Sequence, residues 1–190
     1  MESYLYYAAA LFIGFFLGYA IAFKKYRQEK EKARRDYLTK VFNYRELSSR
    51  LNQFVYEQEP DMAFALLDLD NFKTINDSMG YEAGDQLLKQ FVEFLVARIR
   101  AGDMLFRFKN GDEFMIVFRH LPSNHQGEVA DRLQNALEQA SFHLGENDFG
   151  LTMSVAITSL QPGDSQRSLL NRLELGLKKA KETRNRTWLV

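Results

Sequence analysis

No charged residue occurs between Tyr4 and Phe23. A helix of about 20 such apolar, small and aromatic residues rises roughly 30 Å, the hydrocarbon thickness of a bilayer. Lys24, Lys25, Arg27, Lys30, Lys32, Arg34 and Arg35 follow at once, against Glu29 and Glu31, while Glu2 alone precedes the run. The excess of basic residues on one flank sets the orientation: N-terminus outside, everything after Phe23 in the cytoplasm. A cleavable leader ending near Ala20-Ile21-Ala22 is the rival reading, but its basic start is missing and the basic cluster lies on the side that opposes translocation. We therefore expect a transmembrane anchor over residues 1–23, embedded through residues 4–23, then a basic connector helix over 24–35 and a cytoplasmic domain over 36–190. Ala10, Gly14, Gly18 and Ala22 recur at every fourth position. Such a face lets two helices approach closely, although Gly and Ala are also ordinary in membrane helices.

Composition removes several classes. Lys and Arg number 25, balanced by 25 Asp and Glu, so no global field favours nucleic acid as a partner. Cysteine is absent, which excludes disulfide scaffolds and thiolate metal sites. His120, His125 and His143 lack the spacing of a zinc site.

Within 36–190 the hydrophobic pattern alternates between helix and strand. Leu47, Leu51, Phe54 and Val55 predict a helix over 44–58, and residues 62–69 read as a buried strand. Leu87, Leu88, Phe91, Phe94 and Leu95 predict a helix over 85–100. Residues 104–108 and 114–119 flank Asn110-Gly111, a hairpin turn signal. Helices over 129–140 and 169–181 enclose a strand over 151–158. This order predicts an α/β (α+β) domain with a mixed central sheet.

Acidic residues interrupt that core logic. Asp68 and Asp70 close the first apolar strand, at the kind of sheet edge where open α/β sheets bind ligands. Alternation is expected to turn them to opposite faces, one holding metal and the other bracing the loop. Asp112 and Glu113 follow the hairpin turn. Carboxylates from two neighbouring strands would converge on a divalent ion, and hard oxygen ligands suit Mg²⁺ holding phosphates. A solvated turn flanked by charges is the alternative.

The segment Asp68-Leu-Asp-Asn-Phe-Lys-Thr-Ile-Asn76-Asp77-Ser-Met-Gly80-Tyr-Glu-Ala-Gly84-Asp85 resembles the nucleotide-binding stretch of GGDEF domains, the diguanylate cyclases. Asp36-Tyr-Leu38-Thr39 looks like that family's domain-opening motif, and Arg107-Phe-Lys-Asn-Gly111-Asp112-Glu113-Phe114 like its hairpin. Leu151-Thr-Met-Ser154 and Leu177-Lys-Lys-Ala180-Lys181 sit where the family has a core strand and its final helix. The resemblance covers 36–190. It implies a fold related to nucleotidyl cyclases and polymerase palms, and condensation of two GTP into cyclic di-GMP with release of pyrophosphate.

By resemblance, Asp68, the Leu69 carbonyl and Asp112 hold Mg²⁺, with two ions per active site. Glu113 acts with Asp112 in catalysis, at the metal or at the attacking 3′-hydroxyl. Asn76 and Asp85 hydrogen-bond guanine; Phe72, Lys73, Lys181 and Arg184 complete the substrate site, with Arg186 the other candidate for phosphate. Arg100 and Asp103 match the family's inhibitory product site, which would bind cyclic di-GMP. One nucleotide per site implies a homodimer. The anchor then implies a single-pass protein of the bacterial inner membrane, signalling in biofilm and motility regulation.

Three departures separate this chain from the family pattern. The first glycine of the hairpin is Asn110, and one more residue than usual lies between Arg107 and Asp112. A one-residue slip reverses the faces of a strand, so Lys109 is expected to be absorbed in the turn as a bulge. At the C-terminus the family's arginine follows its lysine by four residues, whereas Arg184 follows Lys181 by three. The altered hairpin leaves a second function open: a non-catalytic module that binds GTP or cyclic di-GMP and signals through protein contacts.

Overall fold

The computed structural model describes residues 2–109 and 111–190, with residues 2–11 and 13 described in backbone only. Two compact units divide it, Met1–Arg35 and Asp36–Val190. The first is a helix, α1 (Glu2–Ala33), whose last turn carries Lys30 and Lys32. Among the described residues no helix is long and apolar enough to cross a membrane. Much of the span expected from the sequence, residues 4–11 and 13, lies outside the described side chains.

The second unit is built on a five-stranded sheet in the order β2-β3-β1-β6-β7. Its strands are β1 (Ala63–Leu69), β2 (Met104–Arg107), β3 (Glu113–Phe118), β6 (Met153–Ser159) and β7 (Thr187–Leu189). β1 runs antiparallel to both β3 and β6, and β6 parallel to β7, so the sheet is mixed as expected. All residues of β1 are buried, because helices cover both faces of the strand. Phe64, Leu66, Met115, Val117 and Ala156 face α2 (Tyr44–Glu57) and α6 (Gln166–Thr183) through Leu47, Leu51, Phe54, Leu169, Leu173 and Leu177. Ala65, Leu67, Phe114, Ile116, Val155 and Ile157 face α4 (Tyr81–Val96) and α5 (Gln126–Glu138). A strand enclosed on both sides reads as a continuous apolar run.

Local signals fix the helix starts. The Asn43 side chain accepts from the Glu46 N–H, and Ser165 with Ser168 forms a capping box, each satisfying otherwise orphaned donors of a first turn. Helix α4 begins at Tyr81, earlier than its apolar stripe predicts, and α3 (Phe72–Met79) precedes it. Gly80, at φ 84° and ψ 161°, separates the two helices in a region open chiefly to glycine. A small hairpin of β4 (Phe142–Leu144) and β5 (Asn147–Phe149) forms a second sheet.

Candidate active site

Residue Asp70 is the most heavily bonded carboxylate at the end of β1. It accepts from Thr152 Oγ1 at 2.8 Å, Ser154 Oγ at 2.7 Å and the Asn185 N–H at 2.8 Å. Asp68 takes a different partner, Lys181 Nζ at 2.5 Å. The expected reason for this divergence needs correcting: residues two apart on a regular strand share a face. Ser154, opposite Asp68 in the ladder, is itself a partner of Asp70, so both carboxylates lie on one face and differ only in the neighbours they reach, Asp70 turning to the end of β6 and the chain after α6.

Burial pushes the Asp68 carboxyl up to about 6; the hydrogen bond from Lys181 opposes this, while the charges of Asp112 and Glu113 add to it. Glu113 is also held above the ordinary carboxylate range, by burial first, with Lys109 and Lys181 pulling the other way. Burial leads in both cases, and a cation bound here would favour the ionised carboxylates.

The hairpin absorbs its extra residue without a slip. Arg107 opposes Phe114 in the ladder, and the Phe108 N–H donates to the Glu113 carbonyl at 2.8 Å. Lys109, Gly111 and Asp112 therefore belong to the turn. Lys109 adopts a left-handed φ of 55° in that turn; Asn110 lies outside the described residues. Lys109 Nζ meets Glu174 Oε1 at 2.8 Å, and this bond holds its ammonium pKa above the ordinary value.

Register decides how the acids meet. Asp68 lies opposite Glu113 in the ladder, so both belong to the face covered by α2 and α6. Asp112 sits in the turn, its carbonyl receiving the Leu69 N–H at 3.4 Å, and lines a cleft on the side of α3 and α4. Two acids of neighbouring strands, Asp68 and Glu113, thus meet across one sheet face, while Asp112 flanks the strand end from the cleft side and still acts on Asp68. Among the described residues no three acidic or imidazole side chains gather as an assembled metal centre. The donor set itself, the Asp68 and Asp112 carboxylates with the Leu69 carbonyl, is all hard oxygen and suits Mg²⁺.

The cleft, of about 290 Å³, is lined by Phe72, Lys73, Asn76, Asp85 and Asp112, all singled out from the sequence, together with Tyr37, Asp77, Tyr81, Leu88, Arg107 and Gly111. Asn76, expected at guanine, stands on α3. A Cβ on Gly84 would stand 1.9 Å from Asn76 Oδ1, so the missing side chain is what admits Asn76 against α4. Arg107 was legible as a motif residue but not as a structural one. Its Nη1 lies 2.9 Å from Asp36 Oδ1, and its Nε donates to the Gly111 carbonyl at 3.0 Å. Burial alone would raise the Asp36 pKa, but the Thr39 N–H and hydroxyl and the Arg107 guanidinium outweigh it and hold the carboxyl low. Asp followed three positions later by Thr was the available sequence signal for this turn.

Other expected residues lie apart from the cleft lining. Lys181 is on Asp68, and Arg184 ends α6 at a left-handed φ of 58°. The backbone carbonyl of Arg186 accepts from the Val155 N–H at 2.9 Å. Asp103 spends both oxygens on backbone, Oδ2 on the Arg100 N–H at 2.9 Å and Oδ1 on the Arg119 N–H at 3.1 Å. Beside it a cavity of about 20 Å³ is lined by Arg98, Arg100, Arg119 and Arg132, room for about one water.

The family described as "Diguanylate cyclase, GGDEF domain" matches residues 33–187. The chain belongs to the GGDEF family of diguanylate cyclases. The diguanylate cyclase DgcP of Pseudomonas aeruginosa is 32% identical over 156 residues, covering 80% of this chain and 23% of that protein. An uncharacterized membrane protein of Staphylococcus haemolyticus is 31% identical over 140 residues, covering 70% of this chain and 39% of that protein. The chain thus spans well under half of either relative. Among solved GGDEF structures, the coiled coil and GGDEF domain of DgcB from Caulobacter crescentus, in complex with c-di-GMP, superposes with a TM-score of 0.84. That match has 20% identity and covers 92% of this chain and 94% of that one. A sensory box/GGDEF family protein from the same organism superposes at 0.70 with 29% identity, covering 79% and 99%.

Proposed function

We propose that this chain is a membrane-anchored, Mg²⁺-dependent diguanylate cyclase that condenses two GTP into cyclic di-GMP and works as a homodimer. The observation that carries the reading is one cleft that brings Asn76 and Asp85, able to read guanine's donors and acceptors, onto the same walls as Lys73 and Asp112. Chemically, the 3′-hydroxyl oxygen of one GTP attacks the α-phosphorus of the other. The bond from that phosphorus to its β-phosphate bridging oxygen breaks, and pyrophosphate leaves. The same exchange in the opposite sense closes the ring.

Each cleft takes one nucleotide, so two copies must face each other. Glu113, half-buried and held above the ordinary carboxylate range, takes the hydroxyl proton. Lys73 and Lys181 neutralise phosphate, Lys181 by leaving Asp68. Asp68, the Leu69 carbonyl and Asp112 would hold the magnesium, which would spread the charge of the transferring phosphoryl group. Arg100, one of four arginines beside Asp103, would supply the anion contact of a product-feedback site at this surface.

Membrane attachment rests on the charge-free run 4–23 and the basic residues after it, and on the staphylococcal relative's description as a membrane protein. It places the domain in the cytoplasm of a bacterium and raises the effective concentration of a second copy. Incubation of the full chain in lipid nanodiscs with labelled GTP and Mg²⁺ tests the proposal; cyclic di-GMP and pyrophosphate are expected. GTP binding without cyclic product would establish instead the non-catalytic module. That reading has its own support in the left-handed Lys109 of the turn and in the lysine on Asp68.

A further inference from the structure

Two tyrosines stand at the cleft with their rings largely in water. Tyr37, 79% exposed, follows Asp36 in the domain-opening turn, and Tyr81, 78% exposed, is the first residue of α4. Both line the cleft that holds Asn76 and Asp85. An aromatic ring left in water forgoes the large burial term that places Phe91, Phe106 and Phe114 of this domain in its core.

Their positions are set by the backbone. Gly80, at φ 84°, ends α3 and starts α4 at Tyr81. Tyr81 and Asp85 are four apart on that helix and so share a face. The ring therefore stands one turn beyond the carboxylate that would accept from the base. Tyr37 comes from the other wall, where its neighbour Asp36 is locked by Arg107 at 2.9 Å and by the Thr39 N–H at 2.8 Å. The turn that carries Tyr37 is thus held in place while its own ring is free.

We infer that Tyr37 and Tyr81 are base-binding residues that stack on the purine of the bound nucleotide and cover it at the mouth of the cleft. The inference deepens the reading of this cleft as a GTP site and rests on it. Asn76 and Asp85 read the edge of the base; the rings supply what an edge reader lacks, contact with the π face. They also bury their own apolar area when a base arrives.

The test uses the full chain in detergent, with calorimetric titration of a GTP analogue carrying a methylene bridge between the α- and β-phosphorus. Tyr81→Ala and Tyr37→Ala are each expected to weaken binding roughly ten-fold, the scale of losing one base–aromatic stack. Tyr81→Phe and Tyr37→Phe should bind like the parent, because stacking needs the ring and not the hydroxyl. Ribose 5′-triphosphate, which has no base, should bind all variants alike, and thermal midpoints should not move. Alanine variants that bind the analogue as tightly as the parent, or that lose ribose triphosphate equally, overturn the stacking role. Failure of the parent itself to bind would sink the GTP reading together with this one, so the two failures are distinguishable.

Discussion

Arg107 and Asp36, 71 positions apart in the chain, form an ion pair of 2.9 Å with both side chains about nine-tenths buried. The same guanidinium holds the Gly111 carbonyl, so one side chain joins the opening turn to the hairpin turn that carries Asp112. Breaking a buried pair from one side leaves a charge stranded. Arg107→Ala should cost about 3–5 kcal/mol in urea unfolding. Arg107→Lys, which keeps the charge but not the fork, should recover part of that. Equal stability of Arg107→Ala and the parent would refute the pairing.

Asp68 is expected to serve function at the expense of stability. Its folded pKa, about 6, lies above the ordinary value of 3.8. Between those values the folded state binds more protons, so this group's contribution to stability falls as pH rises through that window and stays lowered above about 6. Asp68→Asn should therefore be no less stable than the parent at pH 7.5 while making no cyclic product. Lys181, 43% exposed, reaches water once its partner is neutral. A clear loss of stability at pH 7.5 would count against this account.

Asp164 has the opposite sign. The Arg172 hydrogen bonds, Nη2 to Oδ2 at 2.7 Å and Nη1 to Oδ1 at 3.0 Å, lead in lowering its pKa to about 2. Its stabilisation is present above the unfolded value near 3.8 and is lost as pH falls toward 2. Asp164→Asn should cost about 1–3 kcal/mol at neutral pH and flatten the acid limb of the stability curve, read by denaturant titrations between pH 2 and 5. An unchanged acid limb would show that other carboxylates set it.

Gly84→Ala should separate binding from folding. The new methyl needs the space of Asn76 Oδ1, the far end of a side chain, so the fold can yield by swinging Asn76 away. A stability cost of about 1–3 kcal/mol with loss of most affinity for GTP is expected. Retained affinity in calorimetry would remove Asn76 from the guanine contacts.

Long, strongly patterned elements were legible in the sequence because burial on one or two faces writes a period into them. Leu47, Leu51 and Phe54 mark α2, and the unbroken run of β1 marks a strand covered on both sides. α3 was missed, since its eight residues bury only Phe72. The strands β4, β5 and β7, three residues each, are too short to show alternation.

Site residues followed the same rule. Asn76, Asp85, Lys73 and Asp112 reach one cleft through motif spacing, but which side of the sheet each acid would serve depended on where β1 and β3 end. Tyr37 and Tyr81 carried no signal of their own, because an exposed aromatic next to a motif looks like any other surface residue.

The Asp70 carboxylate moors the end of β1, the rim of β6 and the chain just beyond α6 to one point. A helix tethered so close to its last turn cannot slide along the sheet to follow a reacting nucleotide. If Lys181 is to exchange Asp68 for phosphate as proposed, the travel must therefore come from the swing of its own methylene arm, and the scaffold beneath can stay still.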